Sequence, residues 1–399
     1  MKRALIFVGA GASLDYGAPS TWAASRRVAA SVRNDRFMQL VGGRRALTII
    51  ARRLASYLGG LGSVNFEQIV HCAHELIYTY PPTPGAVNAY RPILQPFIQN
   101  TTSISRDSLY PLTNFIIQTI YDMVSASCLT PRVSLLPLRN FISQLRSSYV
   151  TRIYTTNYDD FILQACPDLY YGYDPTPSTQ PKKFDAGLFL RNTDRDCLYH
   201  LHGSVHMGFA FPRSRSGRMG ELFWYDDRSV ARQNAIFSGA LGSTRRMDGS
   251  SYLPTSIISG LDKTSSIQQR PFLHFYSALG HDAASADVIF VIGSGLGDLH
   301  INAWLREARS SGRRVPIIFV DKWAGGFIRA TGSTLDSKII EMWHALQILI
   351  GITMPYTTVG PHWTISQDRS SAVWDDGLVS FLAAPSDLAR VMETMAISP

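Results

Sequence analysis

Two short stretches carry residue types that do chemistry at close spacing: "YTTNYDD" at 154–160 and "HLHGSVH" at 200–206. The first offers Thr155, Thr156, Asn157 and Asp159, the second His200, His202 and His206. Histidines this dense suggest a metal. Strand alternation, however, sets His200 and His202 on one face with no Cys or acid beside them in the sequence, and a solitary HxH is more often structural than a zinc site. His202, immediately before Gly203, is instead a candidate general base at a sheet edge. The polar run around Asn157 reads either as the lining of a ligand crevice or as an Asx turn capping the next helix. Two glycine turns complete the set, "VGAGAS" at 8–13 and "GSGLGDLHIN" at 293–302. Gly9 and Gly11 lack a Cβ, so a diphosphate can approach the backbone N–H groups of a following helix start. Leu14 occupies the third glycine position of GxGxxG, which leaves a plain tight turn open as well. Asp321 stands where a carboxylate accepts a hydrogen bond from a ribose or adenine edge.

Each of these groups ends an apolar run. "ALIFV" at 4–8, "VTRIYTT" at 150–156, "CLYHLH" at 197–202, "DVIFVI" at 287–292 and "VPIIFV" at 315–320 read as strands buried on both faces. After the second glycine turn, "LHINAWLREARSSG" has helical periodicity, with Gly312 as its stop. Strand, glycine turn, helix, strand is a βαβ unit. The expected class is therefore α/β: a Rossmann-like parallel sheet with helices on both faces, a mainly helical insertion and a small C-terminal cap. The expected divisions are residues 1–20 with 149–335 for the sheet domain, 21–148 for the helical insertion and 336–399 for a cap or assembly segment. Residues 203–265, rich in Gly, Ser, Pro and Arg, are expected to form a looped insertion.

The 399 residues are 45% hydrophobic and 17% charged, as suits a soluble globular chain. The apolar core of a signal peptide would be only Ala4 to Val8, too short for an h-region. The stretch 339–354 carries Glu341 and His344 and falls short of a membrane span. Cys72, Cys128, Cys166 and Cys197 lie far apart with no CxxC, which excludes a zinc ribbon and fits a reducing cytoplasm. The net charge of +8 is concentrated: between residues 20 and 60, Arg26, Arg27, Arg33, Arg36, Arg44, Arg45, Arg52 and Arg53 face one acid, Asp35. Internal i,i+4 neutralisation cannot account for such a run, so it is expected to meet an anionic partner, a protein surface or nucleic acid. No GxxxxGK[ST] loop occurs.

Taken in order, GAGAS, TTNYD, HLHG and GSGLGD–HIN resemble the sirtuin superfamily, and more narrowly the sirtuin-like domains of bacterial anti-phage defence proteins, which hydrolyse NAD. The resemblance covers roughly residues 1–20 and 149–325. It implies that Gly9, Ala10, Gly11, Ala12 and Ser13 cradle the diphosphate of NAD. Asn157, beside Thr156, would contact the nicotinamide ribose and position water, with Asp159 buttressing that pocket. His202 would be the general base, its titration near neutrality suiting the role. Gly293, Ser294, Asp298 and Asp321 would border the adenosine half. Protein-deacylating sirtuins carry a four-cysteine zinc module, which is missing here, and a Gln where this chain has Thr156. The resemblance thus implies an NAD glycohydrolase that uses NAD as substrate and no metal, with a protein deacylase or a non-catalytic NAD or ADP-ribose sensor as alternatives. It also implies a homo-oligomer in the cytoplasm with a separately encoded partner, a HerA-like ATPase before a short Argonaute.

Overall fold

The computed structural model describes residues 2–79, 104–176, 180–209, 221–235, 244–245, 251–252, 255–260, 263–310, 314–332 and 336–397. Its strands are β1 (Arg3–Val8), β2 (Val150–Thr155), β3 (Lys182–Lys183), β4 (Cys197–His200), β5 (Met207–Phe209) and β6 (Leu222–Trp224). The two-residue pair β7 (Thr244–Arg245) and β8 (Ser251–Tyr252) follows, then β9 (Val288–Ile292), β10 (Ile317–Val320), β11 (Tyr356–Val359), β12 (Trp363–Ser366) and β13 (Ser371–Trp374). The five expected apolar runs all form strands, each fully or almost fully buried, as a sheet covered on both faces requires.

One sheet takes eight strands in the order β11-β12-β13-β10-β9-β1-β2-β4. Its parallel members, read from β4 inward, are the third, second, first, fourth, fifth and sixth in the chain. That is the Rossmann order, which reverses between β1 and β9. Helices cover both faces, and strand alternation divides the core accordingly. Ala4, Ile6 and Val8 pack with the helices of residues 21–146, while Leu5 and Phe7 pack with the helices Phe272–Ser285 and Leu299–Ser310. Burying a side chain such as Phe290 or Ile318 completely contributes about 1.5–3 kcal/mol.

The C-terminal residues depart from the expected cap. β13 joins β10 in parallel, and β12 and β11 continue the same sheet antiparallel, so this segment supplies three of its eight strands. Only β11, at the edge, is largely exposed. Within 203–265 the expected loop is also partly built: β5 and β6 form a three-stranded antiparallel sheet with β3, over a buried Trp224. Gly312 lies outside the described residues.

The segment before β2 is helical as expected, with Thr21–Asn34, Arg36–Leu40, Gly43–Leu58, Phe66–Thr79 and the 24-residue Arg106–Leu129. Gly42, at φ 77°, makes the break ahead of Gly43–Leu58 that its residue type suits. All eight arginines of this segment are exposed, and none is paired with an acid among the described residues. Asp35 is occupied as a helix cap, accepting from the Met38 N–H at 2.8 Å. No described helix is long and apolar enough to cross a membrane.

At the amino ends of the strands a buried ionic knot ties sheet to helix. Asp282, on the helix Phe272–Ser285, accepts from Arg152 Nε at 2.5 Å, Tyr154 Oη at 2.5 Å and Arg3 Nη1 at 2.7 Å. Arg152 and Asp282 are each 1% exposed, so deleting the acid strands a buried guanidinium. Asp282→Ala should lower unfolding free energy by about 3–5 kcal/mol in urea titrations. A loss under about 1 kcal/mol, the range of an exposed pair, would show that the knot holds nothing together.

Candidate functional site

The reversal between β1 and β9 opens a crevice at the carboxyl ends of the strands, where doubly wound sheets take ligands. The two glycine turns meet there backbone to backbone. Gly9 N–H donates to Ile292 O at 2.9 Å and Gly11 N–H to Gly293 O at 2.8 Å. A Cβ on Gly9 would lie 2.7 Å from Gly293 O, and one on Gly11 2.8 Å from the same atom. Gly293 itself sits at φ 62°. The first turn leads into a single 3-10 turn, Ala10–Ser13, and the α-helix that follows begins only at Thr21. Ala12 N–H is spent on Gly9 O at 3.1 Å. Three of the donors expected to face a diphosphate therefore bond within the protein, and the glycines supply close approach rather than a row of free N–H groups.

Above these turns lies a cavity of about 470 Å³, within the range of small-molecule sites. Asn157 enters it from the end of β2 and is held from three sides. Its N–H donates to Thr155 Oγ1 at 3.0 Å, and its Nδ2 donates to Gly9 O and to Ser13 Oγ, each at 2.9 Å. Its Oδ1 is buried with no partner. The Ser13 hydroxyl also bonds the carboxyl of Asp159, so Asn157 and Asp159 share one intermediary. Burial pushes the Asp159 carboxyl up to about 6, against the pull of Ser13.

The three histidines fall into three environments. His206 bonds Asp160 Oδ2 through Nε2 at 2.8 Å and Tyr225 O through Nδ1 at 2.8 Å, and it stacks on Trp224. His200 bonds Asn157 O through Nδ1 at 3.1 Å, and burial pushes it down to about 4. His202 alone lines the cavity, with Nε2 buried and unpartnered. Burial, then the neighbouring Lys263, push it down to about 3, so it is neutral throughout the physiological range rather than titrating near neutrality. Nor does it lack an acid: Asp298 Oδ2 lies 4.0 Å from His202 Nε2, a neighbour that the sequence around the HxH does not contain. Lys263 Nζ holds the other oxygen of Asp298 at 2.6 Å. Burial opposes charge on Asp298, yet the Lys263 ammonium at its other oxygen holds its carboxyl below the usual range.

Gly9, Ala10, Ser13, Thr156, Asn157, Asp159, His202, Ser294 and Asp298 line the cavity together. Gly11, Ala12 and Gly293 lie in the turns beneath it. Asp321 is elsewhere: it pairs with Lys338 and accepts from the Lys322 N–H at 2.7 Å, so its carboxylate is already committed. Sequence reading missed Glu67, Lys263 and His300, all in the lining. Burial raises the Glu67 carboxyl, with Lys263 opposing. His300 had a local signal, two residues beyond Asp298 in the glycine motif, whereas Glu67 and Lys263 come from inserted segments and had none.

Residues 151–325 match the family model described as a SIR2-like domain, and the chain contains that domain there. No curated protein matches the chain. Among solved structures it is similar to a Sir2 homologue in complex with NAD, at 13% identity and TM-score 0.35, covering 80% of this chain and 78% of that one. It is also similar to Sir2Tm bound to a propionylated peptide, at 12% identity and TM-score 0.38, covering 100% and 94%.

The raised Asp159 carboxyl is directly measurable. With aspartate carboxyl carbons labelled, NMR should show a buried group titrating near pH 6 that vanishes in Asp159→Asn. Between the ordinary carboxylate value and about 6 the unfolded chain binds fewer protons than the folded one. This group's contribution to stability therefore falls as pH rises through that window. Asp159→Asn should remove that slope, and an unchanged slope would contradict the assignment.

Proposed function

We propose that this chain cleaves the nicotinamide–ribose bond of NAD with water, releasing nicotinamide, ADP-ribose and a proton. The observation that carries the reading is a pair of orphaned acceptors in one cavity at the sheet's switch point, Asn157 Oδ1 and His202 Nε2. Both can accept a hydrogen bond and neither is satisfied by the protein. A water or a ribose hydroxyl donating to them would complete the site.

The chemistry asks little else. When the C1′–N bond breaks, its electron pair returns to the pyridinium ring and nicotinamide leaves neutral, so no acid is needed at the leaving group. The positive charge that develops on the ribose is stabilised by Asp159, ionised above about pH 6. Water held by Asn157 Oδ1 forms the new bond to C1′ and gives its proton to His202 Nε2, where the nearby Asp298 carboxylate stabilises the resulting cation. His200 supports the site through the Asn157 carbonyl.

Transfer of an acyl group from lysine to the same ribose is the second reading. Thr156 and the four separate, buried cysteines argue against it, because the deacylases that the motifs resemble have a Gln and a zinc module instead. Incubating the pure chain with NAD distinguishes the two. Hydrolysis releases nicotinamide without an acylated peptide and continues in EDTA; deacylation requires the peptide. Asn157→Ala and His202→Ala should each lower nicotinamide release at least ~100-fold, with His200→Ala milder. Undiminished turnover by the His202 variant would sink its role as base.

The proposal extends to how such an activity is used: an effector that depletes cellular NAD when infection is sensed, restrained until a separately encoded partner engages it. A homo-oligomer and a HerA-like ATPase or short Argonaute partner suit that scheme. The eight exposed arginines are its docking face, on helices remote in sequence from the catalytic strands and with no acid paired to them among the described residues. Arg44→Glu with Arg45→Glu should break partner binding or self-assembly in light-scattering measurements while melting behaviour stays unchanged. Binding to nucleic acid, if that is the partner, should instead weaken steeply with salt. Charge reversal that changes none of these would leave the run a solvated surface.

A further inference from the structure

The fold brings together three groups that no local motif connects. His202 stands just after β4, Asp298 ends the second glycine turn, and His300 lies in the first turn of the helix Leu299–Ser310. Their ligand atoms lie within 4.8 Å of one another. His202 is 3% exposed and its Nε2 has no partner. Asp298 Oδ2 faces it at 4.0 Å. His300 is oriented by the Tyr276 hydroxyl, 2.9 Å from its Nε2, the outer contact that ligand histidines commonly have.

We propose that His202, Asp298 and His300 form a binding site for one divalent transition-metal ion of the zinc class, and that Lys263 competes with the ion for it. Two imidazoles and one carboxylate suit zinc and its neighbours in the first transition row. Magnesium and calcium prefer all-oxygen sets. Tetrahedral zinc places its donors about 3.3 Å apart, given bond lengths near 2.0–2.2 Å. The three groups are therefore slightly open for an ion and must draw together around it. What holds them open is the ammonium of Lys263, 2.6 Å from Asp298 Oδ1, which supplies the positive charge the carboxylate would otherwise seek. An ion entering the site turns Asp298 Oδ2 toward His202 and occupies the lone pair of Nε2.

That lone pair is the proton acceptor of the proposed hydrolysis, so the ion is an inhibitor rather than a cofactor. This consequence rests on the functional reading, whereas binding of the ion does not. The site thus gives the enzyme a negative control that acts on the catalytic base itself. It also accounts for a lysine beside two histidines and an acid: the ammonium is a built-in cation that keeps a metal out until the metal is abundant.

The test titrates zinc chloride into the metal-stripped full-length chain against a chromogenic chelator, with no NAD present. One equivalent should bind. Asp298→Asn and His300→Ala should each weaken binding at least about tenfold. Lys263→Met, which removes a like charge beside the ion, should strengthen binding at least about tenfold, a gain that misfolding cannot mimic. In parallel, zinc should suppress nicotinamide release from NAD by the wild-type chain, and excess chelator should restore it. Failure of both wild-type and Lys263→Met to bind stoichiometric zinc overturns the proposal, as does wild-type affinity in His300→Ala. A chain that binds zinc as described but never cleaves NAD refutes the catalytic reading and leaves the metal site standing.

Discussion

Everything at the head of the sheet depends on two stretches of backbone touching. Gly11 N–H meets Gly293 O at 2.8 Å, and any side chain at Gly9 or Gly11 would collide with that carbonyl. The contact closes β1 onto β9 at the one point where the strand order reverses. Because the turns lie so close, the crevice floor is bare main chain, and Asn157 reaches across from β2 to bond Gly9 O. A side chain at either glycine would instead push the two turns apart and break the Gly11–Gly293 contact beneath the crevice.

The sheet was largely legible in the sequence because strands covered on both faces must be continuously apolar, and "ALIFV", "VIFVI" and "PIIFV" are. β11–β13 were not legible. They are short and rich in Ser and Thr, and the apolar cover of β13 comes from partners such as Trp363 and Phe381 that only the fold supplies. Asn157, Asp159 and His202 were legible by position, each at or just beyond a strand end. Asp321 had the same position and went elsewhere, because Lys338 arrives beside it. The electrostatic character of His202 was hidden for a related reason: burial and Lys263 move it from its ordinary value to about 3, and neither can be read from the residues around it.

The cavity has two kinds of wall. The floor and one side come from strand ends and are rigid, held by ladder hydrogen bonds on both neighbours. The opposite side comes from segments inserted between strands, Phe66 and Glu67 from one helix and Lys263 from another. Asn157, Asp159 and His202 belong to the rigid part, while charge and shape at the far wall are set by parts of the chain the sheet does not need. The same insertion that presents Glu67 to the cavity bears the arginines on its outer surface, so both lie within one helical bundle.

The grip on Asn157 also decides something about time. Both hydrogens of its amide are committed, one to a carbonyl and one to a hydroxyl. Turned over, the amide would set its oxygen against the oxygen of Gly9, two acceptors face to face in a place that water does not reach. The side chain therefore has one orientation, and its free oxygen keeps one position at the cavity wall whether or not a molecule is there to meet it. The entropy of aiming that atom is lost when the chain folds, so no arriving molecule has to wait for a rotamer search before it is held.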